Sequence, residues 1–165
     1  MRELEELKQL GLVATSDASG LLERLKQGYL SQNTFPFPLM IGCCALEMKQ
    51  VSELKAIPHP EESDGPGEEQ SDLFIVSGHI NLKWAPILLK AFQAMSSPKY
   101  VMAVGTCASS GAIFEGHTGL KGLDSLIPVD VYIPGCPPTP HDIICGLEEI
   151  NKRIAAGVYS TRGAQ

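Results

Sequence analysis

Four short apolar runs punctuate the chain, and each ends on a glycine: "FPLMIG" (37–42), "LFIVSG" (73–78), "KYVMAVG" (99–105) and "VDVYIPG" (129–135). Such runs, with little alternation, are the pattern of strands covered on both faces, as in a parallel sheet. Helical patterns separate them. "CCALEMKQVSELKA" predicts a helix from about 44 to 56, and "LKWAPILLKAFQAM" an amphipathic helix over 82–95 with Pro86 near its first turn. The stretch after "CPPTP" predicts a helix from about 140 to 155. Strand followed by helix, repeated, implies an α/β layer structure. The expected fold is flavodoxin-like: a mainly parallel sheet of about four strands, flanked by helices.

Around this unit, residues 1–33 read as an N-terminal helical extension, 34–156 as the α/β domain and 157–165 as a flexible tail. Within the extension, 3–12 and 19–30 are helical, and Leu21, Leu22, Leu25, Tyr29 and Leu30 fall near helical spacing. The polar face is not especially basic, so the second helix reads as a packing element rather than a membrane-surface one. "IPHPEESDGPGEEQSD" (57–72) is a solvated, acidic loop, and "TCASSGAIFEGHTGLKGLDS" (106–125) a Gly-rich loop with one helical turn.

The chain has 165 residues, enough for one substantial core, and its formal net charge is −6. That charge offers no basic face, so no nucleic-acid partner is expected. No run approaches the roughly 18 apolar residues of a membrane span. The opening "MRELEELKQLGL" is charged and helical, unlike a secretory signal. The expected setting is the reducing cytoplasm, where five cysteines serve as ligands or buried thiols rather than disulfides.

The cysteines fall at telling places. Cys43 and Cys44 follow Gly42 at once, Cys107 follows Gly105 and Thr106, and Cys136 follows Gly135. In an open parallel sheet the carboxyl ends of the strands share one edge, where ligands bind. Four thiols remote in sequence therefore converge on that edge, each near a glycine that lets the backbone turn sharply. Three readings stand: an iron–sulfur cluster, a set of buried free thiols, or zinc. Structural zinc usually takes C-x(2–4)-C knuckles, and none occurs here. A [4Fe–4S] cube offers four separate iron corners, so adjacent cysteines can each take one. Cys145, between Ile144 and Gly146 in the last helix, reads instead as core packing.

Other residues weigh less. Glu47 lies one turn after Cys44, as a solvated helix residue or as a carboxylate that moves protons beside the site. His79 follows the second strand on the cysteine edge, either as a polar loop residue or as a partner to a cluster sulfur. His59 and His117 lie in loops with no specific role. "GTCASSG" is no phosphate loop, because no G-K-[ST] follows. A flavodoxin-like carrier of flavin mononucleotide is possible on fold alone but leaves the cysteines unexplained.

Motifs sharpen this. "GCCALEM", "GTCASSGAIF" and "LIPVDVYIPGCPPTP" resemble the B-type iron–sulfur subunit of respiratory complex I, NADH:quinone oxidoreductase. The resemblance extends over roughly residues 36 to 155 and includes "SGHINLKWAPILLKAFQAMSSPKYVMAVG". The small subunits of membrane-bound, energy-converting [NiFe] hydrogenases belong to the same lineage. They carry C-x-x-C where this chain has tandem cysteines, which points toward complex I.

The resemblance implies one [4Fe–4S] cluster on Cys43, Cys44, Cys107 and Cys136, the terminal cluster that reduces quinone. It implies membership of a hetero-oligomer with a large catalytic subunit, a two-cluster ferredoxin-like subunit and a membrane arm that moves ions. This chain would be peripheral, on the cytoplasmic side of the membrane. One departure stands out. The family carries arginines before the second strand, in a pattern like "SPRxAD", whereas this chain reads "GPGEEQSD" with Glu68 and Glu69 in the basic positions. That leaves a ferredoxin-driven, membrane-bound sulfur-reducing complex or a [NiFe] hydrogenase of the same lineage as alternatives. A zinc-stabilised structural module and a flavodoxin-like carrier stand outside the class.

Overall fold

A computed structural model describes residues 36–53, 71–114 and 118–158. The N-terminal extension, His59, Glu68, Glu69, His117 and the tail beyond 158 lie outside the described residues. The elements are β1 (Pro36–Leu39), α1 (Cys44–Glu53), β2 (Leu73–Ser77), α2 (Ala85–Ala94), β3 (Tyr100–Val104), α3 (Thr106–Ser110), β4 (Val131–Ile133) and α4 (Pro140–Ala156). The four strands form one sheet in the order β1-β2-β3-β4. Every pairing is parallel. The fold class is α/β, as the strand–helix alternation predicts.

The central strands are buried along their whole length. Alternate side chains feed two cores. Leu73, Ile75, Tyr100, Met102, Val104, Val131 and Ile133 meet Met48 and Val51 of α1 and Ile143, Ile144, Leu147 and Ile150 of α4. Phe74, Val76, Val101 and Ala103 meet Leu88 and Ala91 of α2, with Ala108, Leu123 and Ile127 from the segment after β3. The chain thus leaves β1 and β4 toward one face and β2 and β3 toward the other. Loops diverging this way open a crevice at the carboxyl ends of the strands.

Element bounds depart from the sequence expectation for local reasons. The first strand runs 36–39 rather than 37–42, and it is half-buried rather than buried. It lies at the sheet edge, which is where Pro36 and Pro38 are tolerated. β4 keeps three residues of an expected seven. Upstream of it, the buried Asp130 carboxylate accepts the Val101 N–H at 2.8 Å, so a side chain takes a ladder position. α2 starts at Ala85 rather than 82, because the Asn81 side chain accepts the N–H groups of Lys83 and Trp84. α4 is bounded by a capping box between Thr139 and Asp142 and by left-handed Gly157.

Candidate metal centre

Each cysteine-bearing loop begins where a strand stops. After β1, Gly42 takes φ +69°, and Cys43 and Cys44 enter α1. Cys43, in the turn before α1, is exposed, while Cys44, the first residue of the helix, is only 2% exposed and packs in the core with Met48. After β3, Gly105 turns the chain with φ +89°, and Cys107 is buried in the first turn of α3. After β4, Gly135 leads to the exposed Cys136, which is joined to Pro137 by a cis peptide. Backbone hydrogen bonds tie these loops together past the strand ends. Gly78 N–H donates to Val104 O at 3.4 Å, Gly105 N–H to Ile133 O at 2.7 Å, and Thr106 N–H to Gly135 O at 2.8 Å.

The four thiols share one electrostatic neighbourhood. Burial pushes the Cys44 thiol up to about 12, and the charge of Cys43, a hydrogen bond to Cys43, and the charges of Cys107 and Cys136 all add to the rise. Cys107 is raised by burial, then by Cys136 and Cys43. Groups that disfavour one another's ionisation in this way stand close together. Gly105 makes the approach possible: a methyl group in its place would collide with Cys44 Sγ. Yet among the described residues no three His, Cys, Asp or Glu side chains are set to hold a single metal ion.

The remaining candidates separate. Glu47 is half-buried on α1, one turn beyond Cys43 and Cys44. His79 sits on the expected edge but turns to Phe114, with ring centroids 4.8 Å apart. Its Nδ1 is buried and finds no hydrogen-bond partner among the described residues. Cys145 corrects the sequence reading, since it is exposed rather than core. Ile143, Ile144, Leu147 and Ile150 define the buried stripe of α4, and position 145 faces away from it, with its Sγ 3.8 Å from His141 Nδ1. Sequence reasoning missed Thr106 and Ser77, whose hydroxyls bind the cysteine loops. Their only signal was a small hydroxyl residue beside a strand-ending glycine.

Comparison with known proteins identifies the family. A model of the family described as NADH ubiquinone oxidoreductase, 20 Kd subunit, matches residues 40–150. NADH-quinone oxidoreductase subunit 6 of Thermus thermophilus is 32% identical over 164 residues, spanning 98% of this chain and 88% of its own. An NADH-quinone oxidoreductase subunit of Myxococcus xanthus is 40% identical over 127 residues, 76% of this chain and 68% of its own. Among solved structures, a chain of the membrane-bound sulfane sulfur reductase, an archaeal respiratory membrane complex, is 28% identical with a TM-score of 0.64. That match spans 76% of this chain and 73% of the other. A chain of the [NiFeSe] hydrogenase of Desulfovibrio vulgaris Hildenborough shares the fold at 20% identity and a TM-score of 0.55, over 78% of this chain and 62% of its own. With four strand-end cysteines in the motifs described and a family match over most of its length, the chain belongs to the family of the 20 kDa subunit of NADH ubiquinone oxidoreductase and is a subunit of a multisubunit oxidoreductase.

Proposed function

We propose that Cys43, Cys44, Cys107 and Cys136 hold one [4Fe–4S] cluster and that the chain delivers electrons to the acceptor of a complex I-like, ion-translocating oxidoreductase, with quinone as the acceptor class. The supporting observation is the gathering of four thiols, from three strand ends, in one field at one sheet edge. The donor set fits. Burial and mutual repulsion hold Cys44 and Cys107 protonated, and nearby iron cations favour the thiolate form. Four thiols without a C-x(2–4)-C knuckle suit four iron corners better than one structural zinc ion. Bound there, such a cluster supplies one-electron transfer.

The chain's own residues divide the remaining work. Cys44 and Cys107 anchor the site in the interior, while Cys43 and Cys136 lie at the rim open to a partner. Leu46 (68% exposed), Ile113 (90%) and Phe114 (50%) are large apolar side chains beside the cysteine loops, as suits a face that the large catalytic subunit covers. In this reading Glu47, one turn beyond the cysteine pair, moves a proton beside the cluster. A two-cluster ferredoxin-like subunit is the donor, and a membrane arm completes the assembly. Among the described residues no helix is long and apolar enough to cross a membrane. As part of the same reading, the chain takes a peripheral position on the cytoplasmic side.

Anaerobic reconstitution of this chain with iron and sulfide tests this. The product should be brown, with about four irons and four sulfides per chain. Serine at 43, 44, 107 or 136 should abolish the normal cluster signal, and Cys145→Ser should preserve it. A colourless zinc protein, or flavin absorbance without acid-labile sulfide, refutes the reading. Sulfur reduction is the second reading, favoured by the likeness to the sulfane sulfur reductase chain and by Glu68 and Glu69. Turnover with polysulfide but not quinone, driven by reduced ferredoxin, selects it.

A further inference from the structure

We propose that two hydroxyls, of Ser77 and Thr106, are positioning residues that hold the cysteine-bearing loops at fixed separation before any cluster is bound. This role presupposes the cluster reading above and concerns what fixes the site rather than what fills it.

Thr106 immediately precedes Cys107, and Gly135 immediately precedes Cys136. The two residues grip one another through both amide groups of Gly135. Thr106 N–H donates to Gly135 O at 2.8 Å. Thr106 Oγ1 donates to the same oxygen at 3.0 Å and accepts the Gly135 N–H at 3.3 Å. Beyond this point β3 runs into α3 on one face of the sheet and β4 runs toward α4 on the other, so an ordinary ladder cannot continue. A hydroxyl both donates and accepts, and so it serves the carbonyl and the N–H of one glycine together.

Ser77 does the same at the other end of the site. The β1–β2 pairing stops at Leu39 opposite Val76. Ser77, the next residue of β2 and fully buried, accepts the Ile41 N–H on Oγ at 2.9 Å. Its proton is shared between Leu39 O at 3.3 Å and Ile41 O at 3.2 Å. That fixes the backbone two residues before Cys43. One hydroxyl therefore sets the approach to Cys43 and Cys44, and the other locks the loop of Cys107 to that of Cys136.

The full-length chain, reconstituted anaerobically with iron and sulfide, carries the test. Thr106→Val keeps the shape and removes both side-chain bonds, Thr106→Ser retains them, and Ser77→Ala removes the other staple. Ser125→Ala, whose hydroxyl bonds the remote Gly122 O at 2.6 Å, is the control. The first readout is the rate of iron loss to a ferrous chelator. The second, on the metal-free chain, is the yield of Cys107–Cys136 cross-linking by a short bifunctional thiol reagent. Thr106→Val should lose iron about tenfold faster and cross-link poorly, from the loss of two hydrogen bonds. Thr106→Ser should stay near wild type. Ser77→Ala should lose iron faster while its Cys107–Cys136 cross-linking stays intact. A merely structural role lowers the urea midpoint but leaves both native-state readouts unchanged, and that result overturns the proposal. Should Thr106→Val fail to fold, Ser77→Ala decides: iron loss as slow as wild type overturns it. A wild-type chain that assembles no cluster sinks the functional reading. The metal-free cross-linking then decides the staple alone.

Discussion

Replacing Gly105 with alanine probes a place where the backbone just after β3 and the sulfur of Cys44 compete for the same space. Gly105 adopts φ +89° and ψ +159°, a region that only glycine occupies without strain, worth about 1–3 kcal/mol for any other residue. The added methyl would strike Cys44 Sγ and come within 3.5 Å of Gly135 O. Overpacking of this kind in a full core adds roughly 1–3 kcal/mol. The expected loss is thus roughly 2–6 kcal/mol, a large share of the 5–15 kcal/mol that holds a typical domain together. Gly157→Ala provides the contrast. Gly157 has φ +64° with nothing within 4 Å of the new methyl, so it carries only the left-handed backbone penalty of about 1–2 kcal/mol. Urea unfolding of the metal-free chains gives both numbers, and iron retention after reconstitution tests the sulfur contact. Equal destabilisation by the two substitutions, with normal iron retention in Gly105→Ala, refutes the close approach of Gly105 and Cys44.

Three further outcomes are expected. Leu147→Ala empties a fully buried position between α4 and the sheet and should lower unfolding free energy by about 2–5 kcal/mol in urea titration. Thr139→Ala removes the cap of α4 and should cost about 1 kcal/mol at neutral pH. The Asp142 carboxyl lies below its ordinary 3.8 mainly because Thr139 hydrogen-bonds it, so its contribution is present above that value and is lost as pH falls through the lower folded one. Stability scans in acid should therefore show a shallower decline in Thr139→Ala than in wild type. At the other extreme, the metal-free chain holds Cys44 as a thiol raised from 9.0 to about 12. A group raised on folding gives its full stability below the unfolded value, so stability should fall progressively between pH 9.0 and about 12, and Cys44→Ser should flatten that limb.

The sheet was legible because its signal is redundant. Apolar runs, terminal glycines and intervening helical patterns all point the same way, and β2 and β3 fall within a residue of expectation. The edge strands were less so, because an edge is a property of the assembled sheet. Nothing in "FPLMIG" says that Ser77, 36 residues on, will take over the hydrogen bonding of Ile41. Cys145 misled for a related reason: its apolar neighbours suggested burial, but helical phase decides which of five consecutive residues turns inward. The convergence of Cys43, Cys44, Cys107 and Cys136 followed from topology alone. The staple between Thr106 and Gly135 did not, because it depends on two loops that diverge only once α3 and α4 have chosen opposite faces.

That divergence also explains why a tandem cysteine pair works at this position. Structural zinc usually takes both thiols of a C-x(2–4)-C knuckle. Tandem cysteines at the start of α1 diverge, leaving Cys44 2% exposed against the core and Cys43 exposed at the rim. The same split recurs across the site, where Cys107 is buried in α3 and Cys136 is exposed after β4. Each side of the crevice thus offers one inner and one outer thiol. On the proposed reading, each of these two inner and two outer thiols takes one corner of the cube. Cys43 sits in the turn just before α1 and Cys44 is the first helical residue, so the pair straddles the helix start. On the cluster reading, the adjacency of the pair lets one loop offer both an inner and an outer thiol at the start of α1.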